Sequence, residues 1–571
     1  MKHRLRLLCM LAVLGALCAS MLVPVSARDE SNIVFVPMRD GVRLSTLISR
    51  PVKNERVPTI LLRTPYGHGT ELIPNLQFFV SQGYAVAMQD VRGRYGSSGK
   101  FQPLDQERND GYDTIAWIAS QPWSNGRVGM MGGSYLGYVQ WQAALTGSPH
   151  LRAIFPTVAG SDEYLDRFYS PGGAMKLGHR LLWMSENVRV PMYKREFTAF
   201  VRHLPLRNAD VAATGHQVEF YQRLLRHPTY DEYWRGLSVR RQAKRITVPA
   251  FILGGWFDNY VQGDLEMFRE LSRFSAANRL VVGPWPHRAL ESLPGMDFGK
   301  NSGAPIRRFQ LEWFDQWLKD APPPPNASPV RIFVMGANIW RDEREWPIAR
   351  TRYVPMYLAG APANSAKGQG LLLSEPDRTI GRNEFTYDPR NPVPTIGGSV
   401  CCNSIVFPWG PLEQREAEAR NDVLVYTSPP MRQPLEVTGT IRVNLLVSTS
   451  APDTDFTAKL VVVYPNGRTR NLTDGILRLR YRESLEKPVL SKPGEVYQIT
   501  IDCGVTSYQF QTGERIRVDI SSSNFPRFDR NPNTGAVIAD ETQFRTARQT
   551  VLHGRFYPSH ILLPTIPAAR R

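Results

Sequence analysis

Over the first 160 residues short apolar runs recur, each broken by a turn: "VPTILLRTPYG", "GYAVAMQDVRG", "RVGMMGGS" and "LRAIFPTVAG". Runs that are continuous rather than alternating fit strands buried on both faces. Stretches with helical spacing, such as "DGYDTIAWIASQP", lie between them. Strand and helix in alternation predict a mostly parallel, doubly wound sheet. Ahead of these runs "NIVFVPMRDGVRLSTLISRP" alternates around Asp40-Gly41 and reads as a β-hairpin.

The alternation lapses over residues 160–246, which have helical spacing, many aromatics and little strand character. Strands return at "VPAFILGGWFD" and "NRLVVGPWPH". A helical insertion near the carboxyl edge of a parallel sheet predicts a cap over a site. "KDAPPPPNASPV" reads as a linker. Beyond it "PLEVTGTIRVNLLVSTS" and "VYQITIDCG" alternate apolar and polar positions, which predicts an antiparallel β-sandwich of the jelly-roll type. The expected organisation is a core in residues 28–159 and 247–320, a helical cap at 160–246, a Pro-rich linker at 321–330 and a sandwich at 331–571.

Composition adds compartment and excludes partners. The chain has 571 residues, 42% hydrophobic and 21% charged, which is several globular domains rather than a disordered chain. Residues 1–27 run from basic "MKHRLR" through an apolar stretch to "VSA", a secretory signal with cleavage expected after Ala27. The protein is therefore expected outside the cytoplasm, periplasmic or extracellular, with no stable membrane insertion once the signal is gone. The net charge is +17, but the cations are scattered among acids, as in "RDEREWPIAR". That balance favours solubility and gives no stripe for nucleic acid. Cys401, Cys402 and Cys503 remain after Cys9 and Cys18 leave with the signal. In an oxidising compartment the simplest disulfide joins Cys503 to one of the adjacent pair, leaving a spare thiol. No Cys/His spacing points to zinc, and Asp453 to Asp455 read as a turn rather than a calcium site. No metal or cofactor is expected, and homo-oligomerisation is left open.

The candidate chemistry sits at strand ends. A serine hydroxyl attacks a carbonyl only with a base in reach and a third group orienting that base. Ser134 follows the strand "RVGMM" and precedes the helix-like "YLGYVQWQAAL". The usual elbow has glycines two before and two after the serine. Here Gly132 fits, but Leu136 occupies the second place and Gly137 comes one later. Asp258 ends "FILGGWFD" and is the candidate acid; His287 ends "RLVVGPWPH" and is the candidate base. His68, in "PYGHG", is a second loop histidine, but it precedes the serine. An oxyanion hole needs donors aimed at the developing charge. The Tyr135 amide and the phenol of Tyr66, in the loop after "LLRT", are the candidates.

"GMMGGSYLGYVQWQAA", "LLRTPYG", "MQDVRGRYGSSGKF", "GGWFDNY", "GPWPH" and "APDTDFTAKLVVVYPNGR" together resemble the cocaine esterase (CocE/NonD) family. Its relatives are the α-amino acid ester hydrolases, the glutaryl-cephalosporin acylases and the X-Pro dipeptidyl-peptidases. The resemblance runs from about residue 32 to the end. It implies an α/β-hydrolase core, a helical cap and a C-terminal jelly roll. It also implies Ser134 as nucleophile, Asp258 as acid, His287 as base, and Tyr66 with the Tyr135 amide as the oxyanion hole. In that family the second elbow glycine stands three after the serine, as Gly137 does. The expected partner is a small-molecule ester or amide. Relatives that take amino-acid esters hold the ammonium with carboxylates just after the acid, whereas Asn259, Tyr260 and Val261 follow Asp258 here. Asp162, Glu163 and Asp166 are the substitutes to examine. The sequence favours an apolar or aromatic acyl group; an acylase or dipeptidyl-peptidase is the alternative, and a glycan-binding pseudo-enzyme a remote one.

Overall fold

The computed structural model describes residues 30–52, 55–289, 292–325 and 327–567. The export signal expected at residues 1–27 lies outside the described residues. Ten strands form the first sheet: β1 (Glu30–Pro37), β2 (Arg43–Arg50), β3 (Val57–Thr64), β4 (Ala85–Asp90), β5 (Ser124–Gly133), β6 (Leu151–Thr157), β7 (Phe251–Gly255), β8 (Arg279–Gly283), β9 (Val330–Val334) and β10 (Ile339–Glu343). Their order is β1-β2-β4-β3-β5-β6-β7-β8-β9-β10. From β4 to β9 every neighbouring pair is parallel, with antiparallel strands only at the two edges.

The inner strands are apolar without interruption because both faces are covered. Ile60, Leu62, Phe155, Leu253 and Val281 point to one side, under the helices Pro74–Ser81 and Ile306–Leu318. Leu61, Met130, Ile154, Ile252 and Val282 point to the other, under Glu107–Ser120, Tyr135–Ala144 and Val261–Ser272. Neighbouring residues of one strand thus feed two different cores, as the period of two requires. The chain runs from β3 outward to β4, then returns to place β5 on the other side of β3. Such a reversal opens a crevice at the carboxyl ends, the usual ligand position in sheets of this kind. Tyr66 follows β3 and Ser134 follows β5, so the two flank that crevice.

Between β6 and β7 the chain folds into short helices, among them Glu163–Phe168, Leu177–Asn187 and Glu219–Arg226. The C-terminal domain is all β: eleven strands, nearly all antiparallel, around the long strand Leu435–Thr449, which pairs with Tyr497–Phe510, Ala547–His553 and His560–Ile566. After the proline run, β9 and β10 extend the first sheet beside β8. The prolines lie in the crossover from the helix Ile306–Leu318 to β9.

The cap is clamped to the sandwich. Arg478 is buried between Asp455 and Asp529, at 2.9 Å from each. Asp529 in turn accepts the Met175 amide of the cap, at 2.8 Å. Asp453 holds Arg480 at 2.7 Å. The two carboxylates expected to mark a simple turn therefore anchor arginines inside the domain. Among the described residues no helix is long and apolar enough to cross a membrane.

Candidate active site

Strand β5 runs straight into the helix Tyr135–Ala144 through one residue, Ser134, whose backbone has φ 59° and ψ −118°. That conformation costs an L-residue about 1–3 kcal/mol. It is pinned by the Ser134 amide donating to the Thr157 carbonyl of β6 (2.9 Å), and by the Gly137 and Tyr138 amides donating back to the Ser134 carbonyl. The offset glycine has a packing reason. Gly137 is the close contact: a Cβ there would lie 2.5 Å from Ala159 Cβ. Leu136 packs against the strand. Its Cβ lies 2.6 Å from where a Gly132 side chain would begin, so Leu136 covers Gly132, which also has φ 132°. Gly132 is thus small because Leu136 packs on it.

As the first residue of its helix, Tyr135 has no carbonyl a turn back for its amide. Its side chain is tied down instead. The hydroxyl donates to Glu107 Oε1 at 2.8 Å, and Glu107 is paired with the buried Arg63 at 2.8 Å. Tyr66 stands across the crevice, and its hydroxyl accepts a hydrogen bond from Trp183 Nε1 of the cap at 3.1 Å. The phenol proton stays free to donate. Burial around the oxygen pushes this phenol up to about 12, with the Trp183 hydrogen bond opposing, so it remains protonated at neutral pH.

Asp258 follows β7 and is fully buried. One carboxylate oxygen accepts the Tyr260 amide at 3.0 Å, and the other lies 2.7 Å from His287 Nδ1. A carboxylate can only accept, so the ring carries its proton on Nδ1 and leaves Nε2 as an acceptor. Ser134 and His287 share no hydrogen bond among the described residues. Both stand against Tyr260, which lines one pocket with Ser134 and whose ring centre lies 5.5 Å from that of His287. Links of this kind often tighten only around a substrate.

His68 is a structural residue: its ring lies 2.8 Å from Ser45 Oγ and its amide donates to Asp90. The three acids proposed as amine anchors are also committed. Asp162 accepts from Tyr230 at 2.6 Å, Glu163 pairs with Arg167 at 2.6 Å, and Asp166 accepts the amides of Ser161 and Asp162. Against the expected pairing, Cys401, Cys402 and Cys503 form no disulfide. Cys503 Sγ donates to the Ala458 carbonyl inside the sandwich, while Cys401 and Cys402 lie beside His179 of the cap. Sequence reasoning missed the pocket's cap wall, Arg167, Phe168, His179, Arg180 and Trp183. These residues carry no local motif; only helical spacing marked their segment.

Comparisons with known proteins agree with this layout. Residues 40–289 match the model of the X-Pro dipeptidyl-peptidase (S15) family, and 325–562 match the X-Pro dipeptidyl-peptidase C-terminal non-catalytic domain. A cocaine esterase of Rhodococcus sp. (strain MB1 Bresler) is 40% identical over 93% of this chain and 98% of its own. Among solved structures, an aminopeptidase from a marine sediment Thaumarchaeota archaeon is 29% identical with a TM-score of 0.84, covering 94% of this chain and 97% of its own. An α-amino acid ester hydrolase is 27% identical with a TM-score of 0.83, covering 96% and 100%. The chain belongs to the cocaine esterase-like serine hydrolases of the X-Pro dipeptidyl-peptidase family, with an α/β-hydrolase core and a C-terminal all-β domain.

Proposed function

We propose that this protein is an exported hydrolase of carboxylic esters that works through an acyl-enzyme on Ser134. His287 Nε2 takes the Ser134 proton as Oγ bonds to the ester carbonyl. The carbonyl electron pair moves onto oxygen, which receives hydrogen bonds from the Tyr66 hydroxyl and the Tyr135 amide. The C–O bond to the alcohol then breaks, and His287 hands its proton to the leaving oxygen. Water repeats the sequence, releasing the acid and restoring Ser134. Asp258 holds the ring tautomer and faces the positive charge that forms. The observation that carries this reading is the 2.7 Å contact between Asp258 and His287 Nδ1, from the ends of neighbouring strands β7 and β8. Export is supported by the signal-like first 27 residues. A fluorophosphonate probe should label the folded protein at Ser134. Folded protein that stays unlabelled would favour a binding role instead. Tyr66→Phe should lower kcat by about ten- to a thousand-fold; an unchanged kcat removes that hydroxyl from the oxyanion hole.

The charges around the pocket bear on the acyl group. Arg167 is balanced by Glu163, but Arg180 is not balanced by any acid among the described residues. It is buried and stacked over Phe168 at 4.2 Å; among the described residues its Nε has no hydrogen-bond partner, and its side chain's one hydrogen bond, 3.4 Å long, goes to the Arg167 carbonyl. A substrate ammonium would enter beside cations, with every nearby carboxylate already engaged. A phenylacetyl ester should therefore be cleaved at least about tenfold faster than the corresponding phenylglycine ester, a difference of about 1.4 kcal/mol in kcat/KM. A preference for the amine would overturn the reading. The same Arg180 favours a second reading, an acyl group ending in a carboxylate. A monoester of a dicarboxylic acid that outruns the phenylacetyl ester would select it.

A further inference from the structure

The cap and the C-terminal domain bring together three soft ligand groups that the proposed reaction does not use. His179 lies in the cap helix Leu177–Asn187; Cys401 and Cys402 come from a loop of the second domain, far along the chain. One ring nitrogen of His179 and both sulfurs lie within 4.8 Å of one another. His179 and Cys401 are only 5% and 1% exposed. Neighbouring side chains of an extended chain point to opposite sides. Cys402 breaks that alternation with a left-handed backbone, φ 95°, and both sulfurs reach the same imidazole.

An independent feature points to a missing partner. His179 Nδ1 is buried and has no hydrogen-bond partner among the described residues. Buried polar nitrogens are rarely left in that state, and each such case calls for an explanation. The thiols are not consumed by a disulfide either.

We propose that His179, Cys401 and Cys402 form a binding site for one thiophilic cation of the zinc class, set against the wall of the substrate pocket. The donor set decides the chemistry: two sulfurs and an imidazole suit Zn(II) and disfavour Mg(II) or Ca(II), which take oxygen ligands. Binding releases both thiol protons to solvent, and two thiolates neutralise the ion, so the burial adds no net charge. Three protein ligands leave the fourth tetrahedral position to a water or a substrate group. His179 lines the same pocket as Ser134 and Tyr66, so the ion sits where it can obstruct an acyl group. Sequence spacing gave no hint of zinc because the histidine and the cysteines meet only across a domain contact. The site does not depend on how esters are cleaved.

The test is a zinc titration of the fully reduced full chain in competition with a chromophoric zinc chelator, with Mg(II) as the control. One zinc per chain should bind in the submicromolar range, and Mg(II) should not displace it. The double substitution Cys401→Ser and Cys402→Ser should weaken binding at least about 100-fold, and His179→Gln about 10- to 100-fold. Circular dichroism shows whether each variant folds. Should the double variant fail to fold, cadmium-loaded wild type still decides, because two thiolate ligands give a sulfur-to-cadmium charge-transfer band. Reduced protein that takes no zinc, bound cadmium without that band, or equal affinity in wild type and folded double variant would each overturn the proposal. Zinc inhibition of ester hydrolysis that disappears in the double variant would support it; equal inhibition of both proteins would count against it.

Discussion

Replacing Ser134 by alanine should lower kcat on short p-nitrophenyl esters by about a million-fold, leaving a residue about a thousand-fold above water from the remaining oxyanion donors. The size follows from what the hydroxyl does: without it no acyl-enzyme forms, and a water would have to be positioned by a site built for a side chain. The fold should not notice. Ser134 Oγ makes no hydrogen bond among the described residues, and alanine has the same Cβ on the same strained backbone, so no conformational cost is added. The unfolding midpoint should stay within about 2 °C of wild type. An ester assay checks the first half and thermal unfolding the second. A variant that folds and hydrolyses as fast as wild type would remove Ser134 from the reaction.

The parts of this site that the sequence reveals are those carried by a single strand each. Ser134, Asp258 and His287 each follow an apolar run, because inner parallel strands are buried on both faces and their carboxyl ends open on one crevice. Periodicity therefore reports both the sheet and the edge at which the candidate residues stand. Other features depend on which distant segments meet. Trp183 and Arg180 come from the cap, and Cys401 and Cys402 from the second domain, and no local spacing encodes a contact across such separations. The proline run is a related case. A proline run marks an extended connection, but it cannot say whether the next strand returns to the old sheet or begins a new one. Here β9 returns, beside β8. Leu136 is a smaller case: the offset glycine was visible, yet only the packing shows that Gly132 and Leu136 fit as a pair.

Asp258→Asn should cost about ten-thousand-fold in kcat while leaving the fold intact. The hydrogen bonds around this carboxylate determine how the amide must sit. One oxygen of Asp258 accepts the Tyr260 amide at 3.0 Å, so an asparagine has to keep its carbonyl there. Its NH2 group then faces His287 Nδ1, which lies 2.7 Å from the other oxygen. Two donors cannot share that bond, so the ring must shift its proton to Nε2 and accept at Nδ1. A ring protonated on Nε2 cannot take the Ser134 proton, and the charge that would have steadied the imidazolium is gone. Stability should not fall with activity. Asp264 is buried nearby, and its carboxyl is pushed up by burial and then by the Asp258 charge, so a neutral asparagine adds no electrostatic penalty there. Thermal unfolding should show a midpoint equal to or above that of wild type, with probe labelling of Ser134 slowed in parallel with kcat. A folded Asp258→Asn protein with wild-type kcat would mean that the tautomer of His287 is set by something other than this carboxylate, and Asp258 would lose its place in the mechanism.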